Sequence, residues 1–240
     1  MMKTFVMIPT YNEADNIARL IKAILDLKIK GLEIVVVDDN SPDRTWEIVQ
    51  QISNKNGNVH LLLRTKDKGR GLAGVAGFKF CLERGADYII EMDADFSHDP
   101  KYIPEMLKEI KHYDLVLGSR MVSGGSDKDR SAIRQFVTKG ANLYIRLMLG
   151  LKVKDCNSGF RCFRREILEK VNINTLEARG PNIVQELLFK CYLKGARIKE
   201  IPIEFIDRKV GSSKLGIKNL IKGYTMVLKL KGEKMIGKLK

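Results

Sequence analysis

Histidine is scarce in this sequence. His60, His98 and His112 are its three copies, and no partner pattern links them. No nucleophile–base pair can be picked out, which leaves little basis for a serine or cysteine nucleophile activated by imidazole. Cysteine is also sparse. Cys81, Cys156, Cys162 and Cys191 form no C-x-x-C pair and no histidine clusters beside them, which argues against a structural zinc site. They read as reduced, buried thiols of an intracellular chain. No apolar stretch reaches the length of a membrane span, and no apolar leader opens the chain, so the expectation is a cytoplasmic protein that meets a membrane, if at all, from one side. There is no internal repeat and no low-complexity segment.

Basic charge is abundant. Over 240 residues, 43 Lys and Arg stand against 29 Asp and Glu, a formal net charge of +14. From Arg208 to Lys240 there are ten basic residues and one acid, Glu233, so this tail carries nine of the fourteen excess charges. A basic tail fits an anionic partner such as phosphate or a lipid surface, and equally a solvated lysine face. Nucleic acid is disfavoured. The tail interleaves only Tyr224 among its cations, and carboxylates elsewhere would repel a phosphate backbone.

Apolar runs and helical periodicities alternate. Strands are predicted in TFVMIPTYNE and LEIVVVDDNSPD, each ending in a polar loop, and in VHLLLR, DYIIEMD and YDLVLGSR, with amphipathic helices between them. Asp43 is placed to cap the second helix, Asp99 the fourth, and Trp46 reads as core. Strands that are apolar on both faces predict an α/β fold with a mostly parallel sheet covered by helices. Such sheets bind ligands at the carboxyl ends of their strands. Tyr11–Glu13, Asp38–Asp39 and Asp93–Asp95 all fall there. The second half predicts a mobile SGGSDKDR loop at 123–130, a helix over 131–149, a short strand in SGFRCF, then a further helix and strand. A last helix carries Ile217, Leu220, Ile221, Tyr224, Val227 and Leu228 on one stripe. That stripe suits a membrane surface, or a protein core with a wet lysine face.

Three motifs bear on chemistry. Asp93–Ala94–Asp95 is a D-x-D at a strand end. If the strand persists, both carboxylates point the same way and offer oxygens to Mg²⁺ or Mn²⁺. On spacing alone it is equally a turn with Asx hydrogen bonds. Tyr11 and Glu13 after the first strand, with Asp38 and Asp39 after the second, suit a base and a ribose. GRGLAG at 69–74 has G-x-G-x-x-G spacing, but it follows the third strand, and it reads better as a turn that lets a helix pack closely. Lys68 and Arg70 beside it are placed to touch phosphate. His98 reads as a helix-start polar residue, or as a group that supports the site from behind.

Taken together, IPTYNE, VVVDDNSPD, MDADFSH, GSR, SGF and DRKVGSSKLG resemble the family-2 glycosyltransferases of GT-A fold, and within them the enzymes that mannosylate dolichyl and other polyprenyl phosphates. The resemblance runs from Pro9 to about Lys214. It implies that Pro9, Tyr11, Glu13, Val37 and Asp39 hold guanine and ribose. Asp93, Ala94 and Asp95 would contact the sugar nucleotide, with Asp95 as metal ligand. Arg120, Arg208 and Lys214 would bind donor phosphates or sugar, and Arg134 the acceptor phosphate. Some relatives carry Gln where this chain has Ser97, a poorer ligand that leaves water or the diphosphate to complete the metal shell.

The implied reaction is metal-dependent, inverting transfer of mannose from GDP-mannose to dolichyl or polyprenyl phosphate. A sibling reaction uses UDP-glucose. The acceptor is already ionised near neutral pH, so no strong base is required, in keeping with the few histidines. The implied organisation is a catalytic domain over 1–214 and a basic amphipathic segment over 215–240. The resemblance further implies a peripheral place on a membrane, with a small membrane anchor subunit as a partner of span-less members.

Overall fold

The computed structural model describes residues 2–127, 130–206 and 217–239. A seven-stranded sheet forms its centre, in the spatial order β3-β2-β1-β4-β6-β5-β7. The strands are β1 (Thr4–Thr10), β2 (Leu32–Asp38), β3 (Val59–Leu63), β4 (Tyr88–Glu91), β5 (Leu115–Ser119), β6 (Arg161–Arg164) and β7 (Ile198–Pro202). The helices are α1 (Ala14–Leu25), α2 (Thr45–Ser53), α3 (Arg70–Glu83), α4 (Ile103–Glu109), α5 (Ala132–Leu149), α6 (Arg165–Val171), α7 (Ile183–Leu193) and α8 (Ile217–Met235). Every strand pair is parallel except those made by β6, which runs antiparallel to both β4 and β5.

Every residue of β1 is buried, as a central strand covered on both faces requires. Its alternate residues feed two cores. Val6 and Ile8 join Ile17, Leu20 and Ile21 of α1 on one face. Phe5 and Met7 join Phe78 of α3 and Leu187 and Leu188 of α7 on the other. The four cysteines are free and buried. Trp46, expected in the core, is only half-buried on α2.

The chain runs β1, β2, β3 outward, then crosses back through α3 to place β4 on the far side of β1. The order therefore reverses beside β1, and a crevice opens at the carboxyl ends of β1, β2 and β4. Asp43 does more there than cap one helix. Its Oδ1 accepts from the Thr45 N–H (3.0 Å) and its Oδ2 from the Ala14 N–H (3.0 Å), so it ties the starts of α1 and α2 together. Asp99 accepts from the Lys101 N–H at 2.9 Å and caps the turn leading into α4.

α8 lies against α5 and α7. Val227 and Leu230 are buried there, while Ile221 and Leu228 are exposed. The apolar stripe expected on this helix is thus divided, part facing the protein and part facing outward.

Candidate functional site

The polar residues after β1 and β2 form a tight scaffold. Asp38 is fully buried. Its Oδ2 accepts from the hydroxyls of Thr10 (2.8 Å) and Ser41 (2.7 Å), and its Oδ1 from the Ser41 N–H (2.8 Å). Those bonds make it a brace between strand ends. Asp39 accepts from the Gly69 N–H at 2.6 Å and from Arg64. Burial lifts its carboxyl above the ordinary range, against the pull of Gly69 and Arg64. Pro9 and Val37 sit beside one another in the β1–β2 ladder, and Tyr11 is exposed at the rim. Glu13 accepts from the Asn16 side chain at 3.0 Å.

The glycines of GRGLAG serve packing. Gly69 has φ +142°, and a Cβ on Gly71 would lie 2.0 Å from the Ala178 carbonyl oxygen. The segment around 178–179 thus runs directly over the start of α3.

β4 stops at Glu91, so Asp93–Asp95 is a loop and the period-two geometry does not persist. Asp95 is buried and accepts from the Ser97 N–H at 3.0 Å, an Asx turn, while Phe96 takes a left-handed conformation. Asp93 is half-exposed, with Arg70 at 3.6 Å. Arg70 is fixed from behind by Glu91 at 2.8 Å. The two carboxylates supply oxygen donors suited to a hard divalent cation. Among the described residues, no group of three His, Cys, Asp or Glu side chains gathers to enclose one. This donor set therefore fits a cation whose shell is completed by phosphate oxygens and water.

A cavity of about 470 Å³ opens beside this loop. Its polar lining includes Arg70, Asp93, His98, Arg120, Arg130 and Arg134. Its apolar wall comes from α5 and α8, with Ile133, Val137, Ala141, Tyr144, Tyr224 and Val227. Arg134 stands in the first turn of α5, which Ser131 caps. Arg120, at the end of β5, is held in a fork by Asp155, with Nε–Oδ2 at 2.7 Å and Nη2–Oδ1 at 2.8 Å.

The structure brings Asp93, Arg120 and Arg134 to one cavity. Pro9, Tyr11, Glu13, Val37 and Asp39 gather at the neighbouring strand ends. Ala94 and Asp95 lie in the loop between. Arg208 and Lys214 lie outside the described residues. His98 proves to be more than a helix-start residue. It is 2% exposed, stacks on Phe160 with centroids 5.1 Å apart, and its Nδ1 accepts from the Asp93 N–H at 3.1 Å. Burial holds its pKa below the ordinary histidine value. Asp155, Asn142, Asn157 and Gln185 were not expected at the site. Isolated amides carry no sequence pattern of their own; the signals were the run from Arg134 through Lys139-Gly-Ala-Asn142 and SGF, which places a turn just after Asn157.

The geometry agrees with comparisons to known proteins. Residues 5–171 match Glycosyl transferase family 2. The undecaprenyl-phosphate mannosyltransferase of Micrococcus luteus is 36% identical over 214 residues, 89% of this chain and 88% of that protein. The polyprenol monophosphomannose synthase of Mycolicibacterium smegmatis is 36% identical over 91% of this chain and 83% of its own. The dolichol-phosphate mannosyltransferase of Pyrococcus furiosus is 42% identical over 89% of this chain, which spans 59% of that longer protein. In fold, glucosyl-3-phosphoglycerate synthase of Mycobacterium tuberculosis, crystallised with Mn²⁺ and UDP, superposes with a TM-score of 0.68 at 18% identity, over 95% of this chain and 77% of its own. A match covering both the ends of β1 and β2 and the D-x-D loop, with relatives aligned over most of their length, identifies the chain as a family-2 glycosyltransferase of GT-A fold that groups with the polyprenyl-phosphate mannosyltransferases.

Proposed function

We propose that this glycosyltransferase transfers mannose from GDP-mannose to a polyprenyl or dolichyl phosphate, with inversion at the sugar carbon. The observation that carries this reading is the cavity. Arginines at one end suit a phosphate head, and the apolar wall of α5 and α8 suits the hydrocarbon chain behind it. Curated relatives act on lipid phosphates of this kind by name.

In this reading Pro9, Tyr11, Glu13, Val37 and Asp39 hold the nucleoside. Asp93, Ala94 and Asp95 face the diphosphate, and Asp95 ligates Mg²⁺ or Mn²⁺. A bound cation offsets the charge that develops on the leaving diphosphate. Arg120, with Arg208 and Lys214, binds donor phosphate or sugar. Arg134 holds the acceptor phosphate in line with the sugar carbon. An oxygen of the ionised acceptor attacks that carbon, the bond to the diphosphate breaks, and GDP leaves with the electron pair. No proton has to be removed from the acceptor, so no base is needed.

A membrane would supply the acceptor, and the outer faces of α5 and α8 suit one. Ile133 (77% exposed), Phe136 (78%) and Leu147 (73%) form a stripe along α5 at helical spacing. Ile221 and Leu228 of α8 are exposed as well, with Lys222 and Lys229 on the same helix. No helix among the described residues is long and apolar enough to cross a membrane. We place the enzyme peripherally on the cytoplasmic side, its segment 215–240 contributing to docking beside a catalytic unit over 1–214. A small membrane anchor subunit would strengthen that attachment.

The test is a transfer assay. The chain is mixed with labelled GDP-mannose or UDP-glucose, polyprenyl phosphate and Mn²⁺ or Mg²⁺, and label is counted in the organic phase. Metal-dependent label from GDP-mannose alone upholds the reading. Label from UDP-glucose alone moves the donor to glucose.

A further inference from the structure

A line of hydrogen bonds runs through the cavity wall from Arg120 to α7. Asn142 Nδ2 donates to Asp155 Oδ1 at 3.4 Å, Asn157 Nδ2 donates to Asn142 Oδ1 at 2.9 Å, and Gln185 Nε2 donates to Asn157 Oδ1 at 2.8 Å. The direction of this line is fixed at one end. Asp155 has no exposed surface, and Arg120, which it accepts in a fork, holds it below the usual carboxylate range despite its burial. An ionised carboxylate only accepts. Asn142 must therefore turn its NH₂ toward Asp155, which leaves its carbonyl for Asn157, and the same constraint passes along to Gln185. Reversing any amide would set two acceptors face to face.

The line ends on an acceptor with no donor. Gln185 is 9% exposed and lines the cavity, and its Oε1, itself buried, has no hydrogen-bond partner among the described residues. A buried carbonyl left without a donor is destabilising, and a bound group that supplies one is favoured. α8 passes over this amide at Gly223, where an added Cβ would come within 3.3 Å of Gln185 Nε2 and 3.5 Å of Oε1.

The cavity's occupants differ in what they can offer Gln185. An ionised phosphate has no hydrogen to give, and an isoprenoid chain has none to donate. A hexose has several hydroxyls. We propose that Gln185 Oε1 accepts a hydrogen bond from a hydroxyl of the transferred hexose, and that Gln185 is a specificity-determining residue for the sugar. This inference rests on the function proposed above. It adds a residue that reads the sugar itself, where the nucleoside contacts read only its carrier. Sites built to accept from a substrate hydroxyl reject analogues that lack it.

The experiment compares the full chain with Gln185→Met, which keeps the volume and removes the acceptor, using GDP-mannose and its 2-, 3-, 4- and 6-deoxy analogues. The wild type should lose about tenfold in kcat/KM on one deoxy donor. Gln185→Met should lose about as much on GDP-mannose, little on that deoxy donor, and nothing in KM for the lipid acceptor. Gly223→Ala, whose methyl would press on the same amide at Nε2, 3.3 Å away, from a helix position where alanine is favoured, should move in the same direction. Equal losses on every donor, or undiminished discrimination in Gln185→Met, would overturn the inference, and the oxygen would then bind water. If the wild type transfers nothing from GDP-mannose, the proposed function falls instead. Gln185 is then judged by calorimetric titration with GDP-mannose and UDP-glucose against GDP and UDP. A sugar-dependent gain in affinity that vanishes in Gln185→Met upholds the role, and a gain that persists, or none at all, overturns it.

Discussion

Arg120 and Asp155 form a two-point pair in which the carboxylate has no exposed surface and also accepts the Arg120 backbone N–H at 3.1 Å. The pair fixes the end of β5 to the turn before β6. Removing one partner of a buried pair leaves an uncompensated charge, at a cost of about 3–5 kcal/mol. Asp155→Ala should therefore lower the unfolding free energy measured by urea titration by an amount in that range and abolish transfer. Asp155→Asn, which can still accept from Arg120, should lose less. An Asp155→Ala variant as stable as wild type would show the pair to be dispensable.

Acid should act through the same carboxylate. Burial opposes ionisation of Asp155 and Arg120 outweighs it, so its folded pKa is depressed. Asp114 is also depressed, chiefly by hydrogen bonds from Arg197. Such groups contribute stability that is present above the unfolded carboxylate value of about 3.9 and is lost as pH falls through the lower folded values. Urea midpoints should be nearly level from pH 7 to 5 as far as these groups are concerned, then drop below about pH 4. In Asp114→Asn that acid drop should shrink.

Gly71→Ala places a methyl 2.0 Å from the Ala178 carbonyl oxygen. The segment around 178–179 would have to move off α3, and a loss of about 1–3 kcal/mol is expected. Thermal melting measures it. An unchanged melting temperature would mean that this segment gives way easily.

Chelation by EDTA should stop transfer, and Mn²⁺ should restore it. Asp95→Ala should not be restored by added metal, though its circular dichroism should match the wild type. Near-normal turnover in that variant would remove Asp95 from the metal site.

Arg134→Ala should raise KM for polyprenyl phosphate about tenfold or more, the value of one charge-assisted contact, and leave binding of GDP-mannose unchanged. By contrast, Phe136→Asp with Leu147→Asp should reduce co-sedimentation with anionic liposomes while leaving turnover on a short, soluble acceptor intact. Undiminished sedimentation would detach the α5 stripe from the membrane.

The sequence made some of this legible. The continuous apolar runs of β1 and β2 marked buried parallel strands, and the acids after them marked the crevice edge. SGFRCF marked β6 as a short strand but not its direction, because so short a segment reads the same either way. Asp38 and Asp39 looked alike in sequence. In the fold Asp38 is a brace, while Asp39 joins the Gly69 turn. The amide line was invisible because Asn142, Asn157 and Gln185 come from three separate segments and meet only through the sheet. The last helix gave one stripe on paper, but a helix wedged between protein and solvent needed two.

The reversed course of β6 has a further consequence for how this enzyme can change. A parallel strand in that slot would begin at the amino edge of the sheet, far from the crevice. Because β6 runs the other way, the residues just before it, 155–159, arrive at the carboxyl edge and form part of the cavity wall. The first ninety residues thus hold one side of the crevice in strict parallel register, and the wall facing it arrives through a single inverted strand. Exchanging the stretch between β5 and β6 for that of another family member would therefore remodel that cavity wall while leaving the ladder of β1, β2 and β4 in place.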